Sequence, residues 1–281
     1  MSVISVSPVV LSAPERGDDL QVRVSAPLSG DDLPVIVFSH GFGESMRGYA
    51  PLVDHWTAAG FVVVQPTHLD SRTLNVTPDD PRYPEIWRFR DADLRRVLDD
   101  LDTLLAAVPG LAGRVDRDRI AVAGHSWGAT TASALLGATV VGDDSLPGAD
   151  PRVKAGVLLA VAGLGGADLS PFAAEHFAFM SPDFTAMTAP ALIVAGDADQ
   201  SALTVRKPDW WTDAYHLSPA PKTLLTLFGG EHSLGGITGY HSTETTDEDP
   251  ARVAAVQRVS TAFLLGSPLS VDPAAGQLES K

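Results

Sequence analysis

The chain has 281 residues, a formal net charge of -15 at pH 7 and no cysteine. This length allows one large domain with a substantial core, and the negative charge argues against nucleic acid or an anionic membrane surface as a partner. The lack of cysteine excludes disulfides, thiolate nucleophiles and cysteine-ligated metals.

Signals for targeting or membrane insertion are missing from the sequence. Residues 1–19 lack the basic region of a signal peptide, and Pro8 interrupts their apolar run. No stretch is long and apolar enough to span a bilayer. We therefore expect a cytoplasmic protein without integral membrane association.

The first part of the chain predicts strands, with one helix among them. Residues 3–11 and 20–26 contain β-branched runs between Pro, Gly and Asp, which indicates two antiparallel edge strands. Residues 34–39 form a short apolar run typical of a strand buried on both faces. A helix is predicted over 49–59, ended by a glycine, and the next strand over 61–65.

A long loop and a long helix are expected next. Residues 66–84 are rich in Pro, Asp, Thr and Ser, which predicts a long surface loop. From Trp87 to Val108, apolar residues recur at helical spacing, with Arg and Asp on the opposite side. We interpret this pattern as one helix with a solvated charged face.

Further strands alternate with helical segments in the rest of the chain. Residues 120–124, 153–161 and 191–195 are predicted buried strands, 222–228 the last strand, and 251–265 a closing helix. This alternation predicts an α/β fold with a doubly wound, mostly parallel sheet and helices on both faces. Since no linker is evident, residues 1–281 are expected to form a single domain.

A G-x-S-x-G pattern marks the candidate nucleophile. Gly124, Ser126 and Gly128 lie between a predicted strand and a helix-compatible run, the arrangement in which a strained turn exposes a serine hydroxyl. A Cβ at either glycine would crowd the neighbouring strand or helix. The first amides of the helix would then face developing negative charge.

A serine nucleophile needs a base, and the base needs an acid that fixes its tautomer. Asp197 and Asp199 follow the strand at 191–195, and His232 follows the last predicted strand. A carboxylate three residues beyond the strand can reach back under the histidine. This favours Asp199, with Asp197 as a turn residue and Asp168 as a third candidate acid. His40 and His125 are interpreted as structural.

Four motifs carry a resemblance to a known family. The segments HGFG (40–43), GHSWG (124–128), GDAD (196–199) and GGEH (229–232) resemble the α/β-hydrolase superfamily over nearly the whole chain. The chain is similar to its dienelactone-hydrolase-like, chlorophyllase-like and cutinase-like serine esterases. Relatives with GHSxGG have a glycine where this chain has Ala129.

The resemblance also implies the remaining site residues. It places the acid at Asp199, the last residue of a G-x-x-D turn, and the oxyanion hole at the backbone N–H groups of Phe42 and Trp127. Relatives carry caps or specificity segments where this chain has residues 163–189. Several residues are expected to line the substrate cleft: Phe172, Phe177, Met180, Trp210, Trp211 and His68. A small satellite core is the alternative interpretation of the aromatic residues in 163–189.

These observations predict a serine carboxylesterase that acts on hydrophobic or aromatic esters through an acyl-enzyme. No histidine pair has metal-ligand spacing, so neither a catalytic metal nor another cofactor is expected. The same triad could instead cleave a lactone, a thioester, an amide or a polyester, or support haloperoxidase or C–C hydrolase chemistry. A ligand-binding protein without catalytic activity is the alternative from another class.

Overall fold

A large central sheet organises the structure, a computed structural model that describes residues 2–177, 179–239 and 245–281. Eleven strands lie in this part of the chain. They are, in chain order, β1 (Val3–Leu11), β2 (Leu20–Pro27), β3 (Leu33–Ser39), β4 (Val62–Pro66), β5 (Val115–His125), β6 (Thr139–Val140), β7 (Val153–Leu159), β8 (Pro182–Asp183), β9 (Ala191–Gly196), β10 (Lys222–Leu227) and β11 (Gly276–Ser280).

Nine of these strands form the central sheet, in the order β1-β2-β4-β3-β5-β7-β9-β10-β11. The strands from β4 to β10 in this order are mutually parallel. The strands β1 and β2 at one edge and β11 at the other pair antiparallel. The prediction of a mostly parallel sheet with N-terminal antiparallel edge strands is therefore confirmed. The short strands β6 and β8 pair separately.

The prediction that 222–228 supplies the last strand was wrong, because β11 pairs with β10. Ser280 lies opposite Thr223, and Gly276 lies opposite Leu227. The residues of β11, GQLES, are mostly polar and mostly exposed, so they lack the apolar alternation by which a strand is predicted. The strand forms because the edge of β10 is open to pairing, and this depends on the tertiary structure and not on the local sequence.

Helices cover both faces of the sheet, as predicted. They are α1 (Ala50–Ala58), α2 (Ile86–Asp99), α3 (Leu101–Ala106), α4 (Trp127–Leu135), α5 (Pro171–His176), α6 (Asp213–Leu217) and α7 (Pro250–Leu264). One apolar core includes α1 and α7, and the other includes α2, α3 and α4. In the described residues, no helix is long and apolar enough to cross a membrane.

Two sequence interpretations are corrected in the segment between β4 and β5. The predicted long helix divides at Asp100 into α2 and α3. Not all of its charged residues are solvated, because Arg90, Asp91 and Asp93 are buried. The predicted surface loop also begins inside the protein, since residues 66–71 are all buried. The burial of these polar groups has one cause in both segments: Asp70 pairs with Arg90, and His68 pairs with Asp93.

Candidate active site

Ser126 lies at a tight turn between β5 and α4. Its backbone has φ 56° and ψ -125°, a conformation that an L-residue adopts only when the surrounding structure enforces it. A Cβ on Gly124 would lie 2.2 Å from the carbonyl oxygen of Gly128, and a Cβ on Gly128 would lie 2.0 Å from that of Ser39. Only glycine therefore fits at these two positions, as the sequence pattern indicated.

The structure brings Ser126, His232 and Asp199 into one chain of hydrogen bonds. Ser126 Oγ lies 2.8 Å from His232 Nε2, and His232 Nδ1 lies 2.9 Å from Asp199 Oδ2. Asp199 is 1% exposed, whereas the His232 side chain is 41% exposed. The three residues follow β5, β9 and β10, whose carboxyl ends lie at the same edge of the sheet. A buried carboxylate thus orients an accessible imidazole beside an accessible alcohol.

The other two candidate acids lie apart from the imidazole. Asp197 is exposed, and its Oδ1 accepts a hydrogen bond of 2.6 Å from the backbone N–H of Gly229. Asp168 pairs with Arg206 at 3.0 Å. Each carboxylate therefore has a structural partner of its own, while Asp199 is the one that contacts His232.

His125 and Tyr49 connect the loop of His232 to the loop of Phe42. His125 Nε2–H donates to the carbonyl of His232 at 2.7 Å, and Tyr49 Oη–H donates to His125 Nδ1 at 2.9 Å. Tyr49 Oη in turn accepts from the backbone N–H of Gly41 at 2.9 Å. Burial lowers the pKa of His125 to about 3, so its ring stays neutral and can both donate and accept.

His40 is also a structural histidine, as the sequence indicated. Its Nδ1–H donates to the carbonyl of Gly41 at 2.7 Å, and its Nε2 accepts from the backbone N–H of His68 at 2.9 Å. Burial, with a contribution from the Arg90 charge, lowers the pKa of His40 to about 4. The neutral ring therefore links two loops beneath the site.

The backbone N–H groups of Phe42 and Trp127, the expected oxyanion donors, have no partner in the hydrogen bonds of the described backbone. Among the described residues, the hydrogen bonds of loops and helix caps use neither of these two groups. Trp127 is the first residue of α4, where backbone N–H groups have no partner within the helix. The ring centroids of Phe42 and Trp127 lie 5.7 Å apart.

Two buried charged residues that contact the loop of Phe42 were missed by sequence reasoning. Arg90 and Asp70 form an ion pair of 2.6 Å with no exposed side-chain surface. Burial alone would raise the pKa of Asp70, but the Arg90 charge, the neighbouring His40 and the hydrogen bonds from Gly43 and Arg90 together lower it. The available signal was that Arg90 lies between Trp87 and Leu94 at helical spacing, on the apolar side of α2.

An apolar cavity of about 560 Å³ opens at the serine hydroxyl. Ser126, Asp199 and His232 contribute to its wall. The other apolar and aromatic lining residues are Phe42, Trp127, Ala162, Phe172, Phe177, Phe179, Met180, Ala202, Leu203 and Trp211. The structure thus brings Phe172, Phe177, Met180 and Trp211 to the cleft, where sequence reasoning expected them.

Trp210 and His68 do not reach this cavity. Trp210 is fully buried and its Nε1–H donates to the carbonyl of Leu164 at 2.8 Å, so it supports the start of the segment 163–189 from below. His68 is also fully buried, and its ring lies between Asp93 and Ser39, at 2.9 Å from each. Tryptophan N–H and histidine groups find polar partners when they are buried, and here these partners lie beneath the site.

The described residues contain no group of three or more His, Asp or Glu side chains that could hold a metal ion. His241, one of the remaining histidines, lies outside the described residues.

A family model described as Chlorophyllase matches residues 5–171, which is more than half of the chain. The matched span includes Phe42, Ser126 and Trp127 and ends before Asp199 and His232. No curated protein matches the chain.

Proposed function

The chain belongs to the chlorophyllase family of the α/β-hydrolase superfamily, and from this premise we propose that it is a serine ester hydrolase with Ser126 as its nucleophile. Membership of the family makes it a hydrolase of the α/β class. The observation that carries the finer proposal is the chain of hydrogen bonds of 2.8 and 2.9 Å through Ser126, His232 and Asp199.

In the proposed acylation step, His232 Nε2 takes the proton from Ser126 Oγ as the oxygen attacks the ester carbonyl. Asp199 holds Nδ1–H, so that Nε2 carries the lone pair, and it stabilises the imidazolium that forms. The N–H groups of Phe42 and Trp127 donate to the oxyanion. The imidazolium then gives its proton to the leaving alkoxide, and the acyl group remains on Ser126.

Deacylation repeats these steps with water. His232 takes a proton from the water as its oxygen attacks the acyl carbonyl, and the same two N–H groups hold the second oxyanion. When the tetrahedral intermediate collapses, Ser126 Oγ leaves and receives the proton from His232. In total, one ester and one water molecule are converted to one acid and one alcohol, without a cofactor.

The proposed substrates are esters with a hydrophobic or aromatic group. The cavity at Ser126 has an almost entirely apolar wall, and it can bury an apolar group at about 25 cal/mol for each Å² removed from water. We assign the specificity role to residues 163–189, since Phe172, Phe177, Phe179 and Met180 of this segment lie in the wall.

The test is hydrolysis of p-nitrophenyl butyrate by the protein and by Ser126→Ala. We expect the variant to lose at least about a thousandfold in kcat, because the nucleophile is removed while the fold is kept. Ser201→Ala is the matched control, since Ser201 lines the same cavity and has no bond to the imidazole. Unchanged turnover by Ser126→Ala would refute the proposal.

Two further measurements separate the alternatives that use the same residues. A panel of p-nitrophenyl esters, lactones, thioesters and polyesters should show a preference above tenfold for apolar esters, which equals about 1.4 kcal/mol of transition-state binding. A fluorophosphonate probe should label Ser126. Absence of both labelling and turnover would favour a ligand-binding protein instead.

A further inference from the structure

One buried ion pair holds the loop that carries Phe42 on both sides of that residue. Asp70 Oδ2 accepts a hydrogen bond of 3.0 Å from the backbone N–H of Gly43. Arg90, which contacts Asp70 Oδ1 at 2.6 Å through Nη1, donates from Nη2 to the carbonyl of His40. The pair therefore fixes the chain two residues before and one residue after Phe42.

The same arginine reaches the first turn of α4. Arg90 Nε donates to Thr131 Oγ1 at 3.1 Å, and Thr131 Oγ1 donates to the carbonyl of Trp127 at 2.9 Å. The guanidinium carbon lies 4.9 Å from the centroid of the Trp127 ring, within the range of a cation–π contact. Arg90 is thus tied to both segments that carry a proposed oxyanion donor.

Apolar packing does not fix the Phe42 backbone. Its side chain is 48% exposed, and residues 40–43 lie between the end of β3 and α1, outside any strand or helix. Gly43 has φ +74°, a conformation that glycine reaches easily but that does not rigidify the chain. The polar contacts of His40, Gly41 and Gly43 are therefore what limits the position of Phe42 N–H.

We propose that Asp70 and Arg90 are positioning residues that set the spacing between the N–H groups of Phe42 and Trp127, so that both can donate to one oxyanion. This inference rests on the proposed function, because it assigns a role to the same anion site. Donors of this kind act only when they are held within about 0.5 Å of the productive geometry, and a planar guanidinium fork provides that rigidity.

Arg90→Lys and Asp70→Asn test the proposal. Lysine keeps the positive charge but replaces the planar fork by one nitrogen, which cannot reach Asp70, His40 and Thr131 together. Asparagine keeps an acceptor for Gly43 N–H but loses the charge that pairs with Arg90. We expect kcat for p-nitrophenyl butyrate to fall at least about tenfold in each variant, with KM within about threefold. The reason is that the displaced N–H groups donate to the oxyanion of the transition state and not to the bound ester.

Affinity for phenylboronic acid should fall by the same factor as kcat. Its tetrahedral adduct with a serine presents an oxygen to the oxyanion donors, whereas the ester ground state depends mainly on the cavity. Each rate is divided by the number of active sites, which is measured by titration to completion with a fluorophosphonate. A loss of folded protein then lowers the number of sites and not kcat per site. A merely structural role would lower the number of titratable sites and leave kcat per site and boronate affinity unchanged, which would overturn the proposal.

Arg152→Lys is the matched control. Arg152 pairs with the buried Asp150 at 2.6 Å, and the N–H of Asp150 donates to Leu135 at the far end of α4. This variant should keep kcat per site. If Ser126→Ala retains turnover, the proposed function itself fails. If Ser126→Ala is inactive while Arg90→Lys and Asp70→Asn keep kcat per site, only the positioning role is refuted.

Discussion

Two regions on either side of Ser126 are built in opposite ways. Beneath the loop of residues 40–43, the buried side chains of Asp70 and Arg90 are joined by a hydrogen bond, and Arg90 also donates to the backbone carbonyl of His40. Above it, the cavity wall consists of rings on loops and short helices, and Phe172 is 56% exposed. The difference indicates that the lower region fixes geometry, whereas the upper region provides apolar surface and tolerates change.

The largest effect is expected at the carboxylate that orients the imidazole, between the two regions. Asp199→Asn should lower kcat by about 10³ to 10⁴, because an amide cannot hold Nδ1–H and stabilise the imidazolium. Asp197→Asn should leave kcat within about twofold, since Asp197 Oδ1 accepts its hydrogen bond from the backbone N–H of Gly229 and the asparagine oxygen can accept the same bond. Steady-state kinetics of both variants, with melting temperatures as a check of folding, measure this. Equal losses in the two variants would contradict the assignment of the acid.

A smaller loss is expected for Tyr49→Phe. The phenylalanine removes the hydroxyl that links Gly41 N–H to His125 and leaves a buried donor unsatisfied, which costs about 1–3 kcal/mol of stability. We expect kcat to fall by about tenfold, with KM unchanged. If kcat per titrated site is unaffected, the connection through Tyr49 and His125 between the loops of Phe42 and His232 has no role in turnover.

The upper region should respond in selectivity and not in the chemical step. Phe177→Ala enlarges the cavity, so the ratio of kcat/KM for p-nitrophenyl hexanoate over acetate should change by about three- to tenfold, while kcat for the acetate stays constant. Phe263→Ala is the control, because it removes a partly buried ring that packs against the core of α1 and α7. A loss of kcat with the acetate would show that the wall also positions the reacting groups.

The smallest effect concerns stability and pH. The pKa of His125 is lowered to about 3 in the folded protein, while an unfolded histidine has a pKa near 6.5. The unfolded chain therefore binds more protons as pH falls below about 6.5, and the free energy of unfolding decreases. From pH 7 to pH 6 this one group contributes a loss of less than about 1 kcal/mol.

Urea denaturation at the two pH values measures this contribution. His125→Gln should reduce the pH dependence, although its stability at pH 7 is lower. His216→Gln, a change at an exposed site, should not alter it. A pH dependence that is the same in all three proteins would contradict the assignment of a buried neutral ring.

The sequence predicts the parallel sheet and the convergence of Ser126, Asp199 and His232, because both depend on local signals. Buried strands are apolar runs, and the ends of parallel strands meet at one edge. The roles of Asp70, Arg90 and Trp210 could not be predicted in this way. Helical spacing indicates that Arg90 faces the core, but it does not identify the partners that make such burial possible, such as His40 for Arg90 and Leu164 for Trp210.

The strand β11 has a consequence for solubility. It is polar and mostly exposed, yet it occupies the N–H and C=O groups along β10, from Thr223 to Leu227. Without residues 276–280, β10 would present an open apolar edge to other copies of the chain, and such edges promote self-association. Shortened variants meant to simplify this protein should therefore keep that strand, although it lies at the edge of the sheet and three strands separate it from β5.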